Sequence, residues 1–167
     1  DRGTHTPESV VQEGGYLYWW DGYQGVVCRY SQAGVQDINV KMVRYFHDLA
    51  KARPDYENDM ALAGYDRRHT QYLLSLYPPG FDDNVTFAFD EVKGAWACKH
   101  SFSPEAYGRV GQELVTFRQG AMWQHFQNSA YANYYGVQFK PSIQFVANAE
   151  PALVKLFYSL RILTDRK

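Results

Sequence analysis

The stretch GGYLYWWDGYQGVVCRYSQAG, residues 14–34, decides the fold class. Its aromatic and β-branched side chains form two short runs, Tyr16 to Trp20 and Val26 to Tyr30, separated by Asp-Gly and Tyr-Gln-Gly. Apolar runs on either side of such turn residues are typical of a β-hairpin. Both faces of the first run are apolar, which predicts a strand inside a layered arrangement of sheets.

The same layout returns further along the chain. Residues 64–77, GYDRRHTQYLLSLY, predict a second hairpin in which Asp66 accepts backbone N–H bonds of the turn. Residues 85–126 predict four strands in a consecutive meander of the size of one propeller blade, with a surface loop at 101–112. Two further strands are expected at 142–148 and 155–163. The chain is therefore interpreted as a series of antiparallel hairpins.

One segment breaks this pattern. After Gly34 the apolar period changes from two to about 3.6, which predicts a helix over residues 38–53. The apolar positions predicted to share one side of this helix are Ile38, Val40, Met42, Val43, Phe46, Leu49 and Ala50. A single helix in a chain of hairpins is interpreted as an insertion or a brace.

These elements divide the chain into three predicted parts. Residues 1–13 form a polar arm or linker, 14–126 a blade-like β module containing the helix, and 127–167 a connector with a C-terminal β-hairpin. The predicted fold class is mainly β, with antiparallel hairpins, a four-stranded β-propeller-blade-like meander and one inserted α-helix. Because the chain begins without methionine, we expect a domain or fragment of a longer protein.

The composition favours packing over charge-driven binding. Aromatic residues make up 17% of the chain, and 17 basic against 18 acidic residues give a formal charge of −1. This balance provides no global field for nucleic acid or an anionic membrane. No run approaches the about 20 apolar residues of a membrane-spanning helix. Cys28 and Cys98 lie in apolar strand-like runs and are expected to be buried thiols.

No motif predicts catalysis. The five histidines lack metal-ligand spacing, although His100 and His125 are placed where they could face each other across the meander. Asp90 and Glu91 are adjacent on a strand, so their carboxylates point to opposite faces. Nucleophile and phosphate-binding signatures are also missing from the sequence. We therefore expect no catalytic residue, no metal, no cofactor and no enzyme activity.

Two groups of residues are candidates for surface contacts. Tyr131, Tyr134 and Tyr135 lie in a Tyr- and Asn-rich connector and are expected to contact a neighbouring subunit or a glycan, with burial in the fold as the alternative. Arg67 and Arg68 are candidates for an exposed basic turn, more simply solvated than bound to phosphate.

The order of the motifs resembles one group of proteins. The chain is similar to the tail-tube and muzzle-type structural proteins of short-tailed bacteriophages, including crAss-like phages, over about residues 14 to 160. The resemblance rests on the opening hairpin followed in order by GYDRRHTQYLLSL (64–76), VTFAFDE (85–91), AWACKHSFSPE (95–105), LVTFRQG (114–120) and MWQH (122–125).

This resemblance implies a β-propeller-like or β-sandwich module in a ring-shaped phage tail around the channel through which DNA leaves the capsid. The implied partners are other tail subunits of the virion, in a ring-shaped homo-oligomer built from a longer chain that is made in the host bacterial cytoplasm. It carries no catalytic residues over to this chain. The alternative function is a carbohydrate- or receptor-binding β module.

Overall fold

The computed structural model describes residues 2–52, 60–77 and 85–143 together with residues 152, 154 and 156. Within these residues the chain is mainly β, with antiparallel sheets and one helix, as the sequence predicts. The two C-terminal strands expected at 142–148 and 155–163 lie largely outside the described residues. No helix among the described residues is long and apolar enough to cross a membrane.

The opening hairpin belongs to a four-stranded antiparallel sheet, sheet I, whose strands follow chain order. Its strands are β1 (Val11–Glu13), β2 (Tyr16–Asp21), β3 (Val26–Ser31) and β4 (Gly34–Asp37). Trp19 lies opposite Cys28, and Trp20 opposite Val27. Strand β2 is buried from Tyr18 to Asp21, which confirms that both of its faces are covered.

The predicted helix is present in two pieces. A 3-10 turn at Val40–Met42 leads into helix α1 (Val43–Lys51), which buries Phe46 completely. The helix backbone packs directly on Gly25, since a Cβ there would lie 2.9 Å from His47 Cα and 3.0 Å from the Phe46 carbonyl oxygen. Gly25 also has a φ of +64°, so both the contact and the turn require glycine.

Sheet II is a second four-stranded antiparallel meander in chain order. Its strands are β5 (Met60–Asp66), β6 (Gln71–Tyr77), β7 (Val85–Asp90) and β8 (Ala95–His100). Asp66 accepts backbone N–H bonds from Arg68 at 3.0 Å and His69 at 3.3 Å, which confirms the predicted role of this carboxylate in the turn.

The remaining strands form separate, smaller sheets. Sheet III has the order β11-β10-β9, and a short hairpin follows it. The strands are β9 (Ala106–Val110), β10 (Glu113–Arg118) and β11 (Ala121–Gln124), with the hairpin strands β12 (Asn133–Tyr134) and β13 (Val137–Gln138).

Two expectations about this region are wrong. The segment expected to be a surface loop contains β9, which pairs with β10 across Leu114 and Arg109. The four strands predicted between 85 and 126 therefore do not form one meander: β7 and β8 complete sheet II, whereas β10 and β11 belong to sheet III. The strand positions are correct, but β7 and β8 form their four-stranded meander with β5 and β6.

Sheet II is the central layer of the molecule. On one face, Tyr72 stacks on Tyr18 of sheet I, with ring centroids 4.7 Å apart and planes 15° apart. Phe87 meets Phe46 of the helix on the same face at 5.0 Å. On the other face, Leu73 and Ala88 pack against a second core that faces sheet III. Burial of aromatic rings on both sides of one sheet thus joins the layers.

Two carboxylates link the sheets through polar contacts. Glu13 of sheet I binds Arg67 of the β5–β6 turn at 2.8 Å and Arg109 of β9 at 2.9 Å, so it joins all three sheets. Glu91, in the β7–β8 turn, accepts hydrogen bonds from Arg29 and from the Tyr18 hydroxyl at 2.7 Å. Because Arg67 belongs to sheet II and Arg109 to sheet III, their ion pairs with Glu13 hold both of these sheets against sheet I.

The predicted polar arm is instead part of the packed structure from Thr6 onward. Ser9 is fully buried, its hydroxyl accepts a hydrogen bond from the Trp20 backbone N–H, and its carbonyl accepts one from the Tyr72 hydroxyl. The next residues form β1, which pairs with β2. Polar side chains here hydrogen-bond to buried backbone groups, and composition alone does not show this.

The two cysteines differ from each other. Cys28 is buried, as predicted, and both thiols are free. Cys98 is exposed, so the expectation of a buried core thiol is wrong at this position. The reason is its place on β8, the edge strand of sheet II, where no neighbouring strand among the described residues covers the outer side.

Candidate functional site

A cleft of about 430 Å³ lies between the end of β11 and the β12–β13 hairpin. Most of its wall is aromatic or carries amide groups. The lining residues are Trp123, Gln124, His125, Phe126, Asn128, Ala130, Tyr131, Ala132, Asn133, Tyr134, Tyr135 and Gly136. We call this the aromatic cleft.

A buried phenylalanine anchors the wall of the cleft. Phe102 has no exposed surface, and its ring contacts His125 at 4.6 Å and Tyr134 at 5.1 Å between centroids. The His100 ring stacks on Phe102 from another side at 5.2 Å. Residues at the ends of β8 and β11 therefore converge on the ring of Phe102. These contacts hold the β12–β13 hairpin against sheets II and III.

Hydrogen bonds fix the two tyrosines that the sequence singled out. The Tyr134 hydroxyl lies 3.1 Å from Nδ1 of His100. The Tyr135 hydroxyl lies 3.0 Å from Oγ1 of Thr116, which is also 2.7 Å from Nε2 of His125. His100 and His125 are therefore tyrosine- or threonine-bonded residues of one cluster, and each side chain has a satisfied structural role.

The histidines of this cluster are neutral at physiological pH. Burial, with a smaller contribution from the neighbouring His100, lowers the pKa of His125 from its ordinary 6.5 to about 4. Burial likewise lowers the pKa of His100 to about 4. The wall of the cleft therefore carries no imidazolium charge near pH 7.

The backbone of the cleft is strained at three places. Phe126, Ala132 and Tyr135 have φ values of +60°, +53° and +53°, in the left-handed region that favours glycine. Residues held in this region cost free energy and persist only where surrounding contacts enforce them. Here the enforcing contacts include the Tyr135 hydroxyl bond and the His69 ring, 4.6 Å from that of Phe126.

The structure brings the three predicted tyrosines together at the cleft, whereas one arginine of the predicted basic turn is already ion-paired. Tyr131, Tyr134 and Tyr135 all line the aromatic cleft, with Tyr131 81% exposed. Arg67 is instead ion-paired with Glu13 and bridges two sheets. Arg68 is the exposed member of the pair. Because one guanidinium is already committed, these two arginines do not form a joint phosphate-binding turn.

Two further cleft residues, Trp123 and Phe126, were not identified from the sequence. They lie on or just after β11, where alternation alone assigned them to a strand. The signal that could have drawn attention to them is the aromatic density of 122–135, in which both a tryptophan and a phenylalanine precede the tyrosine-rich connector.

A cysteine and a histidine lie next to each other outside the cleft. The Cys98 thiol is 3.4 Å from Nε2 of His100, whose Nδ1 faces the Tyr134 hydroxyl. A reactive pair of this kind needs a thiolate and an imidazolium. Partial desolvation of the sulfur instead raises the pKa of the otherwise exposed Cys98, and burial lowers the pKa of His100, so the neutral pair is favoured.

The chain matches no known family model, and comparisons with the curated proteins and with the solved structures also give no match.

Proposed function

We propose that this chain is a structural component of a bacteriophage tail, of the tail-tube, nozzle or muzzle type, that forms subunit contacts around the DNA-exit channel. The proposal starts from the ordered resemblance of the sequence motifs to such proteins. The observation that carries it beyond the sequence is the pair of four-stranded antiparallel meanders, sheets I and II, each in simple chain order.

Meanders of this kind are the unit from which propeller-like rings are built. A propeller blade is a four-stranded up-and-down sheet, and blades pack face to face. Sheets I and II have this strand order and share an aromatic core. The three-stranded sheet III follows on the other face of sheet II, so successive modules along the chain stack in series.

A tail component must also keep its shape while DNA passes. The sheets are joined by the buried aromatic core and by the carboxylates of Glu13 and Glu91, each of which binds groups from other sheets. Contacts that couple separate sheets resist relative sliding, which suits a rigid building block.

The charge distribution also suits a channel for DNA. Cations free to neutralise phosphates would hold the duplex in place rather than let it pass. The net charge is −1, so the chain as a whole has no strong attraction for phosphates. A near-neutral surface also lets copies of the chain approach one another without strong repulsion.

The contact surface between copies is assigned to the edge strand β11. All four of its residues are exposed, and β10 is its only strand partner among the described residues. Met122 lies opposite Phe117 on one face, 61% and 41% exposed respectively. An edge strand carrying large apolar side chains is a site for pairing with another chain. We assign this edge to a second copy of the subunit.

Sedimentation of the purified chain over a range of concentrations tests this assignment. We expect reversible self-association that Met122→Lys weakens, because a charge on the edge strand opposes pairing. Val92→Lys is the matched control, since Val92 is 82% exposed in the β7–β8 turn, away from β11. A chain that stays monomeric throughout, or equal association of both variants, contradicts the proposal.

A further inference from the structure

The aromatic cleft has the chemistry of a binding site for a neutral ligand. None of its twelve lining residues is Asp, Glu, Lys or Arg. Its one histidine, His125, is uncharged near neutral pH because burial lowers its pKa to about 4. A ligand that relies on phosphate, sulfate, carboxylate or ammonium groups would find no opposite charge on these walls.

Several polar groups at the cleft are available to a ligand. The side-chain amide of Asn133 and the indole N–H of Trp123 have no hydrogen-bond partner within residues 2–52, 60–77 and 85–143. The Tyr131 hydroxyl likewise has none within these ranges. These groups comprise both donors and acceptors. A ligand that covered them without bonding to them would leave them unsatisfied at a cost in affinity.

Exposed rings stand beside these polar groups. Trp123 is 37% exposed, Phe126 40% and Tyr131 81%. The Trp123 ring is held edge-on to Tyr135 at 5.6 Å, whereas no other ring of the described residues stacks on Tyr131. Flat aromatic faces next to an amide group suit a ligand that has a C–H surface and hydroxyl groups on the same ring.

Other ligand classes fit less well. An apolar peptide segment would cover the rings but would leave the Asn133 amide and the indole N–H unpaired. A divalent cation needs carboxylate ligands, and the cleft has none. A nucleotide offers a stacking base but brings phosphates that meet no cation here.

We propose that the aromatic cleft binds a neutral saccharide, with Trp123 and Tyr131 against the sugar rings and the Asn133 amide and the Trp123 indole N–H on the hydroxyls. A volume of about 430 Å³ lies at the small end of the range for ligand pockets, which suits roughly one or two sugar rings. Such a site would let a tail component hold a surface glycan of its host. This goes beyond the structural role proposed above and does not depend on it.

The cleft is also preorganised. The left-handed residues Phe126, Ala132 and Tyr135 hold the loop in one shape, and the hydrogen bonds that join Thr116 to His125 and Tyr135 fix its wall. Strained backbone of this kind concentrates at binding sites, where surrounding contacts enforce it. A rigid cleft loses less conformational freedom when a ligand binds, so a small ligand gains affinity.

Calorimetric titration with a panel of neutral trisaccharides tests the proposal: maltotriose, cellotriose, chitotriose and mannotriose, each up to about 10 mM. Lactose and sialyllactose form a matched neutral and anionic pair. We expect saturable binding of at least one neutral trisaccharide. Tyr131→Ala and Trp123→Ala should each weaken it about five- to tenfold, the effect of losing one aromatic contact. Tyr30→Ala is the control, an exposed tyrosine on sheet I outside the cleft.

Tyr131→Ala is the decisive variant because its ring is largely in solvent, so the fold does not depend on it. Its circular dichroism and melting temperature should equal those of the unchanged chain. The proposal is overturned if no neutral trisaccharide binds or if sialyllactose binds more tightly than lactose. It is also overturned if Tyr131→Ala binds as well as the unchanged chain or Tyr30→Ala binds as poorly as Tyr131→Ala. Sedimentation of the same samples reports self-association separately, so the two proposals can fail independently.

Discussion

The contact between Gly64 and Tyr107 offers a sharp test of how sheets II and III are joined. A Cβ at Gly64 would lie 2.5 Å from Cδ1, 2.6 Å from Cγ and 2.9 Å from Cβ of Tyr107. Because the base of the tyrosine side chain is already too close, a rotation of the ring cannot relieve the clash. The substitution Gly64→Ala must therefore push β9 away from β5.

That displacement also acts on a buried polar chain. The Tyr107 hydroxyl lies 2.7 Å from Oγ of Ser75, which lies 2.5 Å from Oγ1 of Thr86, and Thr86 donates to the Phe102 carbonyl at 2.7 Å. Overpacking costs about 1–3 kcal/mol, and a weakened buried hydrogen bond adds about 1 kcal/mol. We expect Gly64→Ala to lower the free energy of unfolding by about 2–4 kcal/mol.

Guanidinium chloride unfolding followed by tryptophan fluorescence measures this loss. Gly3→Ala is the control, because a Cβ at Gly3 meets nothing within 4 Å and should change stability by less than about 0.5 kcal/mol. Tyr107→Ala removes two of the three short contacts. The stability loss caused by Gly64→Ala should therefore be at least about 1 kcal/mol smaller in a chain that carries Tyr107→Ala than in the unchanged chain. The reasoning is refuted if Gly64→Ala is harmless, or if its cost is the same in both backgrounds.

Three further predictions concern charge and reactivity. Glu13→Gln should cost about 1 kcal/mol at pH 7, since its arginines stay partly exposed. Hydrogen bonds from Arg67 lower the pKa of Glu13 below 4.5. The stability that this carboxylate contributes is therefore complete above pH 4.5 and is lost as the pH falls through its folded-state pKa. A stability difference between the unchanged chain and Glu13→Gln that persists at low pH would contradict this. The folded-state pKa of His125 is about 4, against an ordinary 6.5. As the pH falls from 6.5 to 4, the free energy of unfolding should therefore drop by about 3 kcal/mol, because the unfolded chain binds the proton first. Chemical unfolding at several pH values should show a weaker dependence of this free energy on pH for His125→Gln. Ellman's reagent should modify only the exposed Cys98 in the native chain and both cysteines in denaturant. The reaction of Cys98 should be slow below pH 9, because partial desolvation of its sulfur raises the pKa of this thiol. Rapid modification of Cys28 in the native chain would contradict its burial.

Much of the fold is predictable from local patterns. The hairpin of residues 14–34, the strands of sheet II and the helix near 38–53 follow from alternation, turn residues and the change to a helical period. These features depend on neighbours along the chain. The Asp66 turn is predictable for the same reason, since its hydrogen bonds span only three residues.

The grouping of strands into sheets is not predictable in this way. Strand β9 contains Gly108 and Arg109 and looks like a loop, yet its glycine serves packing: a Cβ there would lie 3.1 Å from Val115 and 3.2 Å from Phe117. Arg109 extends to Glu13, 96 positions away in the chain. Contacts of that sequence separation leave no local pattern.

The candidate site was predictable in part. Tyrosine and asparagine density pointed to Tyr131, Tyr134 and Tyr135. The participation of His125 and Phe126 depends on Phe102, a buried ring contributed by a distant turn, and on left-handed backbone at residues that are not glycine. Neither the long-range contact nor the strained conformation has a signature in the residue types, and composition therefore revealed only one wall of the cleft.

The central claim is that copies of this chain assemble around a channel, and direct imaging tests it. Single-particle electron microscopy of the concentrated protein should show closed rings with an open centre, in which β11 of each copy contacts a different surface of the next copy. Rings form when a head-to-tail contact closes on itself. Closed rings that disappear with Met122→Lys and persist with Val92→Lys are the predicted result. Monomers alone, or compact dimers with no central opening, would contradict the account.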